Sequence, residues 1–226
     1  MFHPSLKRVN SSNSFPNNSD ISEETMNCSS FDFSDGNTSE SFSITYSKKT
    51  GSPLHVAINS KLSISQIRYL IEEKNVDLLD IRYDGASSLF IASEQGNTDA
   101  VKLILEKAKN LDILEQLIDK HKLSGATPLH VASYLGYRDI VEILLQNKAN
   151  PNTSLFTNNN TPLYDSINEG KLDVSELLLE YNADSSTYCI NAGQCMHAAA
   201  HKDAVSIINI LHDRIPQQIH SRVCKI

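Results

Sequence analysis

Apolar residues recur in five helical clusters: Ile67, Leu70 and Ile71; Val101, Leu103, Ile104 and Leu105; Ile140, Val141, Ile143, Leu144 and Leu145; Val174, Leu177, Leu178 and Leu179; and Ile207, Ile208, Ile210 and Leu211. This spacing puts each cluster on one broad face of a helix. A second, shorter apolar block precedes each cluster, opened in turn by Leu54, Leu89, Leu129, Leu163 and Met196, at intervals of 35, 40, 34 and 33 residues. A unit of two short helices cannot bury its apolar face alone. Stability then has to come from stacking one unit on the next.

Local signals agree with that reading. Thr127 is placed to cap the first helix of its unit, and Pro128 suits the first helical position, where no amide donor is needed. Leu129 and Ala132 share one face, and the small Ala lets neighbouring helices approach closely. Gly96, Gly136 and Gly170 fall where a helix would end in a left-handed cap. Asp99, Asp139 and Asp173 are expected to cap the second helices. His212 stands where Leu145 stands in the third unit, the polar change that an outermost unit requires.

The fullest unit reads Gly125-Ala126-Thr127-Pro128-Leu129-His130-Val131-Ala132, and Thr161-Pro162-Leu163-Tyr164 opens the next. Ser52-Pro53-Leu54-His55-Val56-Ala57, Ser88-Leu89-Phe90-Ile91-Ala92 and Gln194-Cys195-Met196-His197-Ala198-Ala199 are in phase but degenerate. This period and these openings resemble the ankyrin repeat. The resemblance covers about Gly51 to Ile215 and implies an all-α solenoid of stacked helix-turn-helix units with short hairpin loops, preceded by a disordered segment. Repeats are placed near 51–84, 85–124, 125–157, 158–191 and 192–215, followed by a C-terminal cap, within a domain of 49–226. Two features depart from the pattern. Leu111, Leu114, Leu117 and Ile118, within 109–120, predict a lengthened or additional helix that serves packing or contacts a partner. Beyond Ile215, Ile219, Val223 and Ile226 begin another weak pattern, a capping helix or the start of a missing part of a longer chain.

The first 48 residues read differently. Nearly half of the first fifty residues are Ser, Asn or Thr, and between Val9 and Ser47 there are six acids and no Lys or Arg. Such a stretch cannot bury enough apolar surface to offset its ordering entropy, so residues 1–48 are expected to be a disordered acidic leader. Phe31, Phe33 and Phe42 within it could dock on a partner. Overall, 27 Asp and Glu against 20 Lys and Arg disfavour nucleic acid as a partner, which needs a concentrated basic stripe. No apolar run approaches the length of a membrane span, and no apolar segment follows the basic pair Lys7-Arg8 as a secretory signal would require. Four cysteines in 226 residues do not make a disulfide scaffold, which points to an intracellular setting, cytoplasmic or nuclear. The richness in Asn, Lys, Ile and Ser suggests an AT-rich genome, and ankyrin-like proteins of this size occur in eukaryotes and in intracellular bacteria that export them. The resemblance therefore also admits an exported effector at work in a host cytoplasm.

Chemistry is sparse. Cys189, Cys195, His197 and His201 fall within thirteen residues and offer four zinc ligands on paper. His197, however, aligns with His55 and His130, in the family a structural histidine that ties neighbouring loops, and no Cys-x-x-Cys is present. A catalytic Cys–His pair would need a third, orienting group that the motif does not supply, so the chain is read as a non-enzyme without metal or cofactor. What the resemblance implies instead is a protein-binding surface on a monomer, formed by the concave face and the finger loops. In the family the two residues before the helix-ending Gly are exposed and variable. Here they are Glu94-Gln95, Tyr134-Leu135 and Asn168-Glu169, with His201-Lys202 in the last unit. Tyr134, Leu135 and Phe156, the last on the following finger, are expected to form the contact patch, with Glu94, Gln95, Asn168 and Glu169 as its polar rim. Two other readings stay open: the leader as the active element with the repeats positioning it, and a metal- or redox-responsive last repeat. Asn152 also resembles the loop asparagine that an asparaginyl hydroxylase modifies in many ankyrin repeats.

Overall fold

The computed structural model describes residues 29–33, 42–46, 49–186 and 195–212. Helices come in pairs. The first helices of the units are α1 (Pro53–Asn59), α3 (Ser88–Glu94), α6 (Pro128–Leu135), α8 (Pro162–Asn168) and α10 (Cys195–His201). The second helices are α2 (Ile64–Glu72), α4 (Thr98–Asn110), α7 (Arg138–Gln146), α9 (Leu172–Glu180) and α11, over 205–212. First helices pack in the order α1–α3–α6–α8–α10, and second helices α2–α4–α7–α9 form a parallel layer behind them. Leu54, Leu89, Leu129 and Leu163 are each fully buried, as are Ile104, Val141, Leu144 and Leu178 from the rear layer. The core is thus continuous along the stack, as the apolar spacing requires.

Caps set the helix ends. The hydroxyl of Thr127 accepts the amide of His130, and Ser87 and Thr161 do the same for Phe90 and Tyr164. Gly136 closes α6 at φ 81, a conformation that a side chain resists. A Cβ there would also lie 2.7 Å from the Lys171 side chain, which runs across this turn. Asp99, Asp139 and Asp173 correct the expectation made of them. The capping positions belong to Asn97, Tyr137 and Lys171, and the three aspartates lie two residues further on, in the first turn. There a carboxylate faces the positive end of the helix without accepting a capping bond.

The unit with the longest interval is lengthened where the sequence places extra residues. α4 runs for 13 residues, and a four-residue helix α5 (Leu114–Leu117) follows it. Leu117 and Ile118 are buried, whereas Leu111 is largely exposed. Elements also occur before Gly51, within the stretch expected to be a leader. β1 (Ser29–Phe33) and β2 (Phe42–Tyr46) pair antiparallel, with Ser29 opposite Tyr46 and Phe33 opposite Phe42. Ile44 of β2 is buried in the core, and β2 packs on α1. The alternation Phe42-Ser43-Ile44-Thr45-Tyr46 has the period of a strand, a signal diluted when composition is averaged over fifty residues. Residues 1–28 and the pattern beyond Ile215 lie outside the described residues.

Candidate functional site

Between units the chain projects turns that are tied to one another by backbone bonds. The amide of Leu123 donates to the carbonyl of Asp84 at 3.0 Å, and the amide of Phe156 to that of Ser124 at 3.0 Å. Gly125 must be a glycine here: at φ 88, a Cβ would lie 2.9 Å from the Phe156 amide nitrogen and ring. Behind the turns, His55 Nε2–H donates to the Ala86 carbonyl (3.1 Å) and His130 Nε2–H to that of Asn160 (3.3 Å). Burial pushes both imidazoles down, that of His130 to about 4, so the neutral form is the one that carries these ties. At the foot of the turns, Asp119 accepts the amide of Asn150 (3.1 Å), and Asn152 Oδ1 accepts that of Asp184 (2.7 Å).

One charged clasp stiffens the first pair of fingers. Arg82 grips Asp84 through two bonds of 2.9 and 2.7 Å, and Lys122 from the next finger reaches the same carboxylate at 3.0 Å. Burial alone would raise this carboxyl, but bonds from Arg82, Lys122 and the Ala86 amide outweigh it and hold the group well below the usual carboxylate range.

The sequence-predicted residues lie at helix ends and on the finger that follows α6. Tyr134, 48% exposed, and the half-buried Leu135 end α6, while Phe156 is 67% exposed on its finger. Phe156 also meets His121 edge-to-face at 5.2 Å between ring centroids, so one side of its ring is already spoken for. Asn168 and Glu169 are exposed, with Asn168 Nδ2 donating to Glu169 Oε1 (3.2 Å), and Glu94 and Gln95 are half-buried. Asn152 is exposed.

Three residues of this surface escaped the sequence reading. Tyr83, 54% exposed, and Leu123, 75% exposed, stand two residues before Gly85 and Gly125 respectively, so each tops a finger. The third is Asp165, only 8% exposed, at the register occupied by Val56, Ile91 and Val131 in the preceding units. In the last unit Cys195 is buried, whereas His197 and His201 are exposed; Cys189 lies outside the described residues. His197 is therefore not buried as its counterparts His55 and His130 are. Among the described residues no group of three His, Cys, Asp or Glu side chains is arranged to hold a metal ion, and no helix is long and apolar enough to cross a membrane.

A family model described as ankyrin repeats (3 copies) matches residues 34–113, 54–155 and 107–189. The chain is 30% identical over 125 residues to an ankyrin repeat protein of fowlpox virus, a match that covers 52% of this chain and 19% of that one. It is 21% identical over 159 residues to the B-cell lymphoma 3 protein homolog of Mus musculus, covering 70% and 34%. It is also 30% identical over 131 residues to a glycerophosphocholine phosphodiesterase of Candida albicans, covering 57% and 10%. The chain thus matches about a third or less of the length of each of these relatives.

Proposed function

The chain belongs to the ankyrin-repeat family, whose stacked units generally mediate protein–protein interaction, and from that premise we propose that it is a non-catalytic module binding a protein partner through its concave face and finger loops. The observation that carries this reading is Tyr134 with Leu135. An aromatic side chain nearly half exposed, next to a half-buried leucine, ends the central first helix. Neither is needed to close the core, since Leu129, Ala132, Val141 and Leu144 already do so. Apolar and aromatic anchors of this kind dominate interface energetics. Phe156, Leu123 and Tyr83 on the fingers extend the apolar surface, and Glu94, Gln95, Asn168 and Glu169 supply a polar rim that tunes rate and specificity more than strength. The module acts as a monomer, inside a cell.

The test is a Tyr134→Ala/Leu135→Ser double variant, compared with wild type for melting temperature and for capture of partners from a cell extract. Truncating such anchors is expected to weaken binding about thirtyfold, roughly 2 kcal/mol, with little change in melting. A large fall in melting temperature would assign the two side chains to the stack instead. Undiminished capture would move the interface to the leader or to α5. Asn152 is a separate proposal, as a site of asparaginyl hydroxylation. Its support is an exposed loop position whose side-chain carbonyl is held by the Asp184 amide. A peptide spanning Asn152 that gains no oxygen mass after co-expression with the hydroxylase would remove it.

A further inference from the structure

Asp165 breaks the register of the stack. Counting two residues on from Leu54, Leu89, Leu129 and Leu163 gives Val56, Ile91, Val131 and then Asp165: three aliphatic side chains and one carboxylate. The position is almost closed to solvent at 8% exposure, yet among the described residues the carboxylate's side-chain partner is Asn160, whose Nδ2 donates to Oδ1 at 2.8 Å. A buried carboxylate ordinarily gathers several donors or a cation, because an isolated one is costly to hold. Among the described residues no cation acts on it. The charge that does act on it is Glu169, one helical turn on and of the same sign. Burial pushes the carboxyl up to about 6, Glu169 adds to the rise, and the Asn160 bond offsets only part of it. The face of α8 that carries Asp165 continues through Asn168 and Glu169, both exposed, at the i+3 and i+4 spacings of a helix. On α6 the equivalent face runs from Val131 to Tyr134 and Leu135. The carboxylate therefore lies on the same face of the stack as the proposed rim.

We propose that Asp165, with Glu169 above it, is a receptor for one cationic side chain of the partner, a guanidinium or ammonium group inserted between α6 and α8. This rests on the concave-face reading above and adds the partner's chemistry: an apolar segment for Tyr134 and Leu135 that carries an Arg or Lys alongside. A cation supplies what the fold withholds from Asp165, a second strong donor and an opposite charge in a poorly solvated place. It also explains why this one repeat departs from an aliphatic residue at the cost of a group that resists ionisation.

The experiment needs no knowledge of the partner. The side-chain carboxyl carbon of Asp165 is followed by NMR through a pH titration of the full chain, with N-acetyl-arginine methylamide, N-acetyl-lysine methylamide or N-acetyl-glycine methylamide added at matched ionic strength. The expected result is a midpoint near 6 with the glycine compound. Arginine, lysine or both should lower it by about half a unit, a threefold or so preference for the ionised site. Whichever of the two lowers it more names the side chain. An unchanged midpoint with both overturns the proposal. In parallel, Asp165→Val, which restores the residue type of the other repeats, should melt no lower than wild type at pH 7.5. A clear fall would overturn the proposal too, by making the carboxylate an anchor for the Asn160 finger. Neither outcome depends on Tyr134 or Leu135, so failure here leaves the concave-face test standing and the reverse.

Discussion

His130 reaches into the following repeat, its Nε2–H donating to the carbonyl of Asn160, thirty residues on, while the side-chain amide of that same Asn160 donates to Asp165. Two buried titratable groups are thereby joined through one asparagine, and their protonation acts on stability in opposite directions. His130 is depressed to about 4 from an ordinary 6.5, so the unfolded chain takes up its proton first as pH falls. Its contribution is complete above about 6.5 and is lost on the way down to 4. Asp165 is raised to about 6 from 3.8, so the folded chain holds its proton more tightly. That contribution is complete below about 3.8 and is lost as pH rises through 6.

Each term is on the order of 3 kcal/mol, and between pH 4 and 6 they nearly cancel. Wild type should accordingly show a shallow stability profile across that window, with His55 adding a smaller loss towards acid. Asp165→Asn removes one side of the balance. Its urea midpoint should fall steeply from pH 6.5 to 4 while wild type changes little. Parallel profiles for the two proteins would show that the carboxyl titrates normally.

The lengthened second unit offers a cleaner separation of packing from surface. Leu117 is fully buried at the end of α5, whereas Leu111 is 46% exposed. Leu117→Ala should cost about 2–5 kcal/mol of unfolding free energy, and Leu111→Ser within about 0.5 kcal/mol. Chemical denaturation measures both. If Leu111→Ser instead weakens partner capture at unchanged stability, the ridge beside α5 belongs to the interface.

Asp84 holds two fingers at once, through Arg82 on its own turn and Lys122 on the next. Asp84→Asn keeps the shape and removes the charge, leaving two cations facing each other. Amide exchange at Leu123, which donates to the Asp84 carbonyl, should speed up about tenfold, the equivalent of about 1.4 kcal/mol of local opening. Exchange at the buried helices of the third and fourth units should not change. An unaltered Leu123 amide would mean that the backbone ladder suffices without the clasp.

How far the sequence was legible follows from which signals are local. The helix pairs, the Thr127 cap and the Gly136 turn were readable because spacing and cap chemistry involve residues a few positions apart. The hairpin of β1 and β2 was missed since five-residue alternations sit inside a polar, acidic stretch whose average composition hides them. For the site, Tyr134 and Leu135 could be placed from the register alone. The contact of Phe156 with His121 could not, because it depends on where the finger folds back. Asp165 was visible as a register break, but its meaning lay in burial and in a single hydrogen bond that only the fold reveals.

The ties between units, from His55 to Ala86, Asp119 to Asn150, His130 to Asn160 and Asn152 to Asp184, each join one repeat only to its immediate successor. No bond among them bridges across two. A load applied along the chain is therefore carried in series, and the weakest junction yields while the others stay closed. Each unit that lets go releases roughly 110 Å of extended chain, since 34 or so residues span about 3.3 Å apiece. Such a molecule lengthens in discrete steps under force and reseats one step at a time when the force is removed.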